Sequence, residues 1–443
     1  MAGRILPYFV IQSKEKLTDR GSLAFVDEFM TGLGFTEQLT QVFPSPGSGK
    51  GIKTTDFIRT LIYHFADGGR HLEEIAGIKT DEGFRSLIKM KHMPGSDAVG
   101  DWLRRLGKHN GTRYVQRMND TLVRRYASVS ERKEWVLDVD STIIESNKGD
   151  ATYSYNETQG YHPMLGWLSD GKDEPICSYV KFRQGEASAQ VDILEAIQHT
   201  QTLLPEGKGI KYFRSDSAAY QAKIIDDCND NNIYYTITAD KDVSVMSAIM
   251  DISSKSWQPL HDRLDGFKTG REVSETIHTM NDSNHSFRLV VIRELTDKPD
   301  LFGPYHYYGV ITNIPLEGPG FKTSEEVIWH HNGRGNCERY IEDTKYGLTL
   351  RYVPCGQMEA NAMYYTIGIL TFNLLKLMQM MVLPRSWLKR TVLSLRRKLF
   401  RFVAKVTYSG RQLFLQINKT TEEIRQLIRV REKIWSLSLL VTQ

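Results

Sequence analysis

The chain has 443 residues, of which 40% are hydrophobic and 25% charged, an ordinary globular balance that excludes a collagen-like, disulfide-scaffold or wholly disordered protein. At about 150 residues per domain there is room for two or three domains. Fifty-seven Lys and Arg against 53 Asp and Glu leave a net charge of only +4, so a polyanion-binding surface would have to come from how the charge is distributed.

The first stretch, MAGRILPYFVIQSKEK, has too short an apolar run for a secretory signal. Residues 1–130 read as mostly helical. Thr55 can cap a helix in which Ile58, Leu61, Ile62 and Phe65 share one face, and Leu72 and Ile75 mark a second, short one. Ser96 can cap a third, with Val99, Leu103 and Leu106 inward and Arg104, Arg105 and Lys108 outward. Short helices joined at Gly68-Gly69 allow a helix-turn-helix unit that binds DNA, and equally a plain bundle with solvated arginines. The run PSPGSGKG at 44–51 imitates a phosphate loop, but Pro44 stands where the first Gly belongs and Gly51 follows Lys50, so a flexible connection is expected.

Near residue 134 the pattern changes. Trp135 to Asp140 reads as a strand, as do Glu174 to Phe182, Gly209 to Arg214 and Ile233 to Ile237, with helical stretches at Val191 to Ile197 and Ala218 to Asp227. Strands followed by strand–helix alternation predict a mixed α/β sheet. Residues 239–328 break that rhythm with β-type runs at Phe287 to Ile292 and Tyr305 to Thr312, and predict an inserted β-rich subdomain. Residues 324–383 return to helices. The longest apolar run, Ala362 to Leu383, is interrupted by Asn373, Lys376 and Gln379; a membrane span needs about 20 predominantly apolar residues, so a buried helix is expected. Cys177, Cys228, Cys337 and Cys355 form no C-x-x-C pair, which argues against a structural zinc site and for a reducing compartment.

The C-terminal end is strongly asymmetric. From Arg385 to Lys433 there are fourteen Lys and Arg against three acids, a net of +11, which leaves −7 for the rest of the chain. That is the footprint of a polyanion partner, Arg396, Arg397, Lys398 and Arg401 being the densest cluster; a solvated helix face is the alternative.

Three acids have settings suited to metal chemistry. Asp140 ends a strand in DVDST, Asp216 ends another in FRSDS, and Glu338 lies in the helical stretch GRGNCERYIEDTKYGL. Carboxylates at strand ends joined by one from a helix can hold two Mg2+ about 3.5–4 Å apart, one ion serving the attacking oxygen and the other the leaving oxygen of a phosphodiester. On a continuous helix, Arg334, Glu338 and Lys345 fall within about 40° of one another, with His331 at about 60°. Gly333 and Gly335 can break that helix, Glu342 is a rival ligand, and an Arg334–Glu338 ion pair within the helix is the plainer alternative. Asp138 shares a strand face with Asp140, so spacing leaves both open.

The run His331-x-x-Arg334-x-x-x-Glu338-x-x-x-x-x-x-Lys345 resembles the Tyr-Arg-Glu-Lys signature of bacterial insertion-sequence transposases, cut-and-paste enzymes with an RNase H-like core and an Asp-Asp-Glu triad. His331 stands where Tyr is usual. LDVDST, FRSDSAAY and GYHP (160–163) are similar to further motifs of the group, and the insertion-sequence family numbered 1380 is the nearest in pattern. The likeness runs from about residue 134 to the C-terminus.

The resemblance implies an RNase H-like mixed sheet in two parts, 131–238 and 329–383. Around it would stand the insertion at 239–328, a helical DNA-binding region at 1–130 and a basic helical region at 384–443. It implies that Asp140, Asp216 and Glu338 bind two Mg2+, with Mn2+ able to substitute, and that Asp140 is preferred over Asp138 through the Asp-x-Thr match. Arg334 and Lys345 would contact DNA phosphates, His331 could donate to one, and Trp257 could stack on a flipped base or simply be core. The expected protein binds double-stranded DNA, both terminal inverted repeats and target, as a homodimer on DNA. It would work in the bacterial cytoplasm at the nucleoid, without a membrane, and by way of a hairpin end. A catalytically silent DNA-binding derivative and an RNase H-like nuclease without strand transfer are the competing readings.

Overall fold

The computed structural model describes residues 12, 14–45, 47, 51–171, 174–300 and 303–441. Most of the N-terminal stretch and half of the 44–51 segment lie outside the described residues. The chain forms two compact units, residues 100–392 and residues 1–99 with 393–443.

The larger unit is built on one mixed sheet. Its first five strands are β1 (Glu134–Ser141), β2 (Met164–Ser169), β3 (Ile176–Lys181), β4 (Gly209–Ser215) and β5 (Tyr234–Thr238). They lie in the order β3-β2-β1-β4-β5, with β1 antiparallel to β2 and parallel to β4, and β4 parallel to β5. Three antiparallel strands followed by two parallel ones is the RNase H-like arrangement. The central strand β1 is buried from Trp135 to Val139, as befits a strand covered on both faces.

The expected insertion is β-rich, but it is not a sheet of its own. Strands β6 (Gln258–His261), β7 (Lys268–Thr279), β8 (Ser286–Asp300) and β9 (Gly303–Thr312) continue the same sheet, β9 pairing antiparallel with β5 through Ile311 and Ile237. The exposed edge of β5 is thus covered by this chain's own strand, which removes an aggregation-prone edge. Between β1 and β2 the chain makes a small tongue of paired segments, Ile144–Glu145, Thr152–Tyr153 and Gln159–Tyr161. Gly160 is required there, because a Cβ would stand 2.1 Å from the Ile144 carbonyl.

Helices α1 (Thr112–Val129), α2 (Ile193–Leu203), α3 (Ala222–Asp230), α4 (Ser324–Asn332), α5 (Gly335–Glu342) and α6 (Met358–Met381) belong to this unit. The boundary expected at residue 130 therefore moves, since α1 packs with α6 on β3. The polar interruptions of the long apolar run all have internal partners. Asn373 accepts from the Cys177 amide at 2.8 Å and donates to the Cys177 carbonyl at 2.7 Å. Lys376 sits 3.6 Å from Asp343, and Gln379 donates to the Arg390 carbonyl at 3.0 Å. Burying these groups is tolerable because the Asn373 amide, the Lys376 ammonium and the Gln379 NH2 group each have a partner. Among the described residues no helix is long and apolar enough to cross a membrane, and all four cysteines are free and buried.

The smaller unit holds helices Ala24–Gly32, Phe35–Val42, Thr54–Asp67, Ile75–Thr80 and Glu82–Leu87. Helix Thr54–Asp67 starts one residue before the expected cap: Lys53 takes the N-cap position and Thr55 is buried inside the helix. The basic C-terminal region is not all helix. A hairpin, Ala404–Ser409 with Gln412–Ile417, precedes helix Thr421–Val441. Leu395, Leu399 and Phe400 are buried as their spacing predicts, but Val403 is 66% exposed because the chain has left the helix before it.

Candidate active site

The parallel pairing of β1 and β4 determines where the acids go. Asp138 lies opposite Arg214, and two residues further along each strand come Asp140 and Asp216. Both carboxylates therefore leave the same end of the sheet, from neighbouring strands. Ser215 ties the strand ends together by donating to the Val139 carbonyl at 3.0 Å. Asp140 accepts from the Ser141 amide at 2.8 Å, and Asp216 from the Ala218 amide at 3.0 Å.

Glu338 arrives from α5, in the first turn of that helix. The single helical face expected for His331, Arg334, Glu338 and Lys345 does not exist. Helix α4 ends at Asn332, α5 begins at Gly335, and Lys345 lies in a wider π-type turn, Asp343–Gly347. The break is at Gly333, where a Cβ would stand 2.3 Å from the Arg214 guanidinium; the glycine makes room for Arg214. Arg334 occupies the N-cap position of α5 and still meets the site, its Nη1 lying 3.4 Å from Asp140 Oδ2.

The electrostatics link the three acids. Burial first, then the charges of Asp216 and Glu338, push the Asp140 carboxyl up to about 7 against the opposing pull of Arg334 and the Ser141 amide. A half-buried carboxyl acted on by two further carboxylates is a concentration of negative charge that a cation would relieve. The donors are all carboxylate oxygens, which fit a hard ion such as Mg2+. Among the described residues no three His, Cys, Asp or Glu side chains stand close enough to share one ion; Asp140 has Arg334 against it instead.

Asp138 has a different task. Its two oxygens take Nε and Nη2 of Arg214, each at 2.7 Å, and both side chains are buried. Arg214 also donates to the His330 carbonyl at 3.1 Å, fastening α4 to the sheet. Glu342 is exposed and acts on Lys345. Lys345 donates to the Ile143 carbonyl at 2.9 Å, at the root of the tongue, and burial lowers its ammonium pKa while Glu145, Glu342 and Asp140 raise it.

The other expected contacts sort by burial. His331 is 2% exposed, its Nε2 lying 3.0 Å from the Tyr308 hydroxyl and 3.1 Å from that of Thr238. Burial holds its pKa down at about 4; it is a neutral core residue, not a phosphate donor. Trp257 is half-buried and lies under the Arg293 guanidinium at 4.2 Å, beside Tyr307. Arg104 pairs with Asp101 at 2.6 Å, and Arg105 is exposed. Arg396 is buried and donates to the carbonyls of Ala66 and Phe65 at 2.8 and 2.9 Å, closing the end of helix Thr54–Asp67. It is structural. Arg401 pairs with Asp67 at 2.9 Å, while Arg397 and Lys398 are exposed.

Sequence reasoning missed Asp240, which follows β5 at the same sheet end. Ser217 hydrogen-bonds its carboxyl, and Asp216 and Asp242 repel it, with burial the main cause of its raised pKa. The acid after a strand end, in ITADKD, was a signal of the same kind as those at Asp140 and Asp216.

The site is thus an RNase H-like sheet presenting two carboxylates from adjacent parallel strand ends, with a third on a following helix. The family model for transposase DDE domain group 1 matches residues 12–439, and the chain belongs to that family. No curated protein matches it. Among solved structures, the chain is similar to a piggyBac transposase in a cryo-EM synaptic complex with hairpin DNA. The identity is 10%, the TM-score 0.46, and the match covers 86% of this chain and 80% of that one.

Proposed function

We propose that this transposase is the enzyme of a bacterial insertion sequence, closest to the family numbered 1380, that binds the element's terminal inverted repeats and cuts and joins DNA strands. The observation that carries the reading is the meeting of Asp140 and Asp216 at neighbouring strand ends, within electrostatic reach of Glu338. In this reading Asp140, Asp216 and Glu338 hold two Mg2+. Bound divalent ions supply Lewis-acid charge to the attacking and leaving oxygens of the phosphodiester.

The chain's own residues do the rest. Arg334, 3.4 Å from Asp140, orients that carboxylate and presents its remaining N–H donors to a phosphate. Lys345 fixes the tongue root beside the same carboxylate. In hydrolysis, a water oxygen bonds to phosphorus and the 3′-oxygen leaves with a proton, giving a 3′-hydroxyl and a 5′-phosphate. In strand transfer that 3′-oxygen bonds to the phosphorus of a second phosphodiester, whose own 3′-oxygen leaves and takes up the proton; on the opposite strand of the same end this exchange closes a hairpin. A homodimer holding two ends and the target completes the cut-and-paste scheme.

The test is incubation with the flanking element DNA and Mg2+ or Mn2+, with products resolved strand by strand. Nicks at the element boundary that need the ion and vanish in Asp216→Asn support the proposal. Binding without any cutting at any ion concentration would favour a silent derivative.

A further inference from the structure

Most cations around the catalytic end of the sheet are already committed. Arg214 belongs to Asp138, Arg334 leans on Asp140, and Lys345 is held by the Ile143 carbonyl. Arg351 is different. Its guanidinium lies over the Tyr346 ring at 5.0 Å and over the Tyr352 ring at 4.9 Å. The residue is exposed, and among the described residues no carboxylate forms an ion pair with it. Tyr346, itself 56% exposed, directly follows Lys345. The turn between them is fixed: Thr349 has a φ of 58° and the Leu350 amide donates to the Thr344 carbonyl at 3.2 Å.

The segment from Lys345 to Cys355 also gathers other positive charge. Lys148, from the tongue, donates to the Pro354 carbonyl at 3.4 Å, and Arg104 and Lys148 both act on Cys355. Lys148 and Arg104 thus stand at the Cys355 end of the segment, and Lys345, within electrostatic reach of Asp140, at its other end.

We infer that Arg351, clamped between Tyr346 and Tyr352, grips a backbone phosphate of the DNA that flanks the cleavage position. Stacking holds the planar guanidinium so that its in-plane N–H donors stay free, and less side-chain freedom is lost when a phosphate arrives. A lysine in its place would keep the charge without the two-pronged geometry. This inference rests on the transposase reading and names a binding residue for it.

The test uses the full chain and a short fluorescein-labelled DNA duplex of mixed sequence, with affinity followed against salt. Each phosphate contact on duplex DNA contributes about 0.9 to the slope of log affinity against log salt. Arg351→Gln is expected to flatten the slope by about 0.9 and to weaken binding about 8-fold at 0.1 M salt. Arg351→Lys is expected to keep the slope and lose part of the affinity. An Arg351→Gln protein with unchanged affinity and slope overturns the inference while leaving the transposase reading intact, and so does an Arg351→Lys protein whose slope matches that of Arg351→Gln. Failure of the wild-type chain to bind any duplex instead overturns the reading on which the inference rests.

Discussion

Asp138 and Arg214 form a buried bidentate ion pair across the two central parallel strands, with both N–O distances at 2.7 Å. This pair decides between the two acids of the DVD motif. Asp138 is consumed by the core, and Asp140 is the one left at the strand end. Removing one partner strands the other charge in the interior, which typically costs about 3–5 kcal/mol. Asp138→Ala should accordingly lower the urea midpoint sharply, and Asp138→Ala with Arg214→Met should recover much of the loss. A double variant no more stable than the single one would show that the pair is not what the strands lean on.

Asp140 should behave in the opposite way. Asp140 carries a charge that burial, Asp216 and Glu338 all disfavour. Asp140→Asn is expected to raise the melting temperature of the metal-free protein while abolishing DNA cleavage. Mg2+ should raise the melting temperature of the wild type, since an ion that binds only the folded state stabilises it, by about 2.7 kcal/mol at one hundred times its dissociation constant. Asp140→Asn, Asp216→Asn and Glu338→Gln should each blunt that response, and Glu342→Gln should not. Differential scanning fluorimetry with and without the ion distinguishes these cases.

Two buried histidines, His64 and His331, and the half-buried His330 make the fold acid-sensitive. Burial lowers His64 and His331 from the ordinary 6.5 to about 4, and His330 to about 3. As pH falls below 6.5 the unfolded chain binds these protons before the folded one does, so their contribution is complete above that value. It is lost progressively toward pH 4 and 3. Each site accounts for at most about 3–5 kcal/mol. Urea unfolding across this window should show stability falling with pH, and His64→Gln should flatten the slope between 6.5 and 4.

The basic C-terminal cluster should split in two. Arg396→Gln takes a donor from the Ala66 carbonyl and leaves the Phe65 carbonyl only the Gly68 amide, and should cost roughly 1–3 kcal/mol of stability. Arg397→Gln with Lys398→Gln should leave stability nearly unchanged and flatten the salt dependence of DNA binding by up to about 1.8. Phosphate contacts carry no direct sequence information, so preference for the element's ends should survive. An unchanged salt slope would mean that these two exposed cations serve only solvation.

Much of the β-framework was legible because its determinants are local. Runs such as Trp135 to Asp140 and Gly209 to Arg214 have the length and branching of buried strands, and an acid at a strand end is visible in the chain itself. The transposase motifs could be read for the same reason, since they are short and fixed in spacing. What neighbours across the sheet decided could not be read. Only the β1–β4 register shows that Asp138 meets Arg214, and only that guanidinium explains why Gly333 interrupts the expected helix and takes His331 off the Glu338 face. A run of charge says nothing about partners distant in sequence, so Arg396 looked like Arg397 until the carbonyls of Phe65 and Ala66 were found against it. Sequence by itself determined which residue types stand where along the strands. The tertiary structure decided which of them remain free, because burial and pairing are properties of surroundings that the chain assembles only by folding.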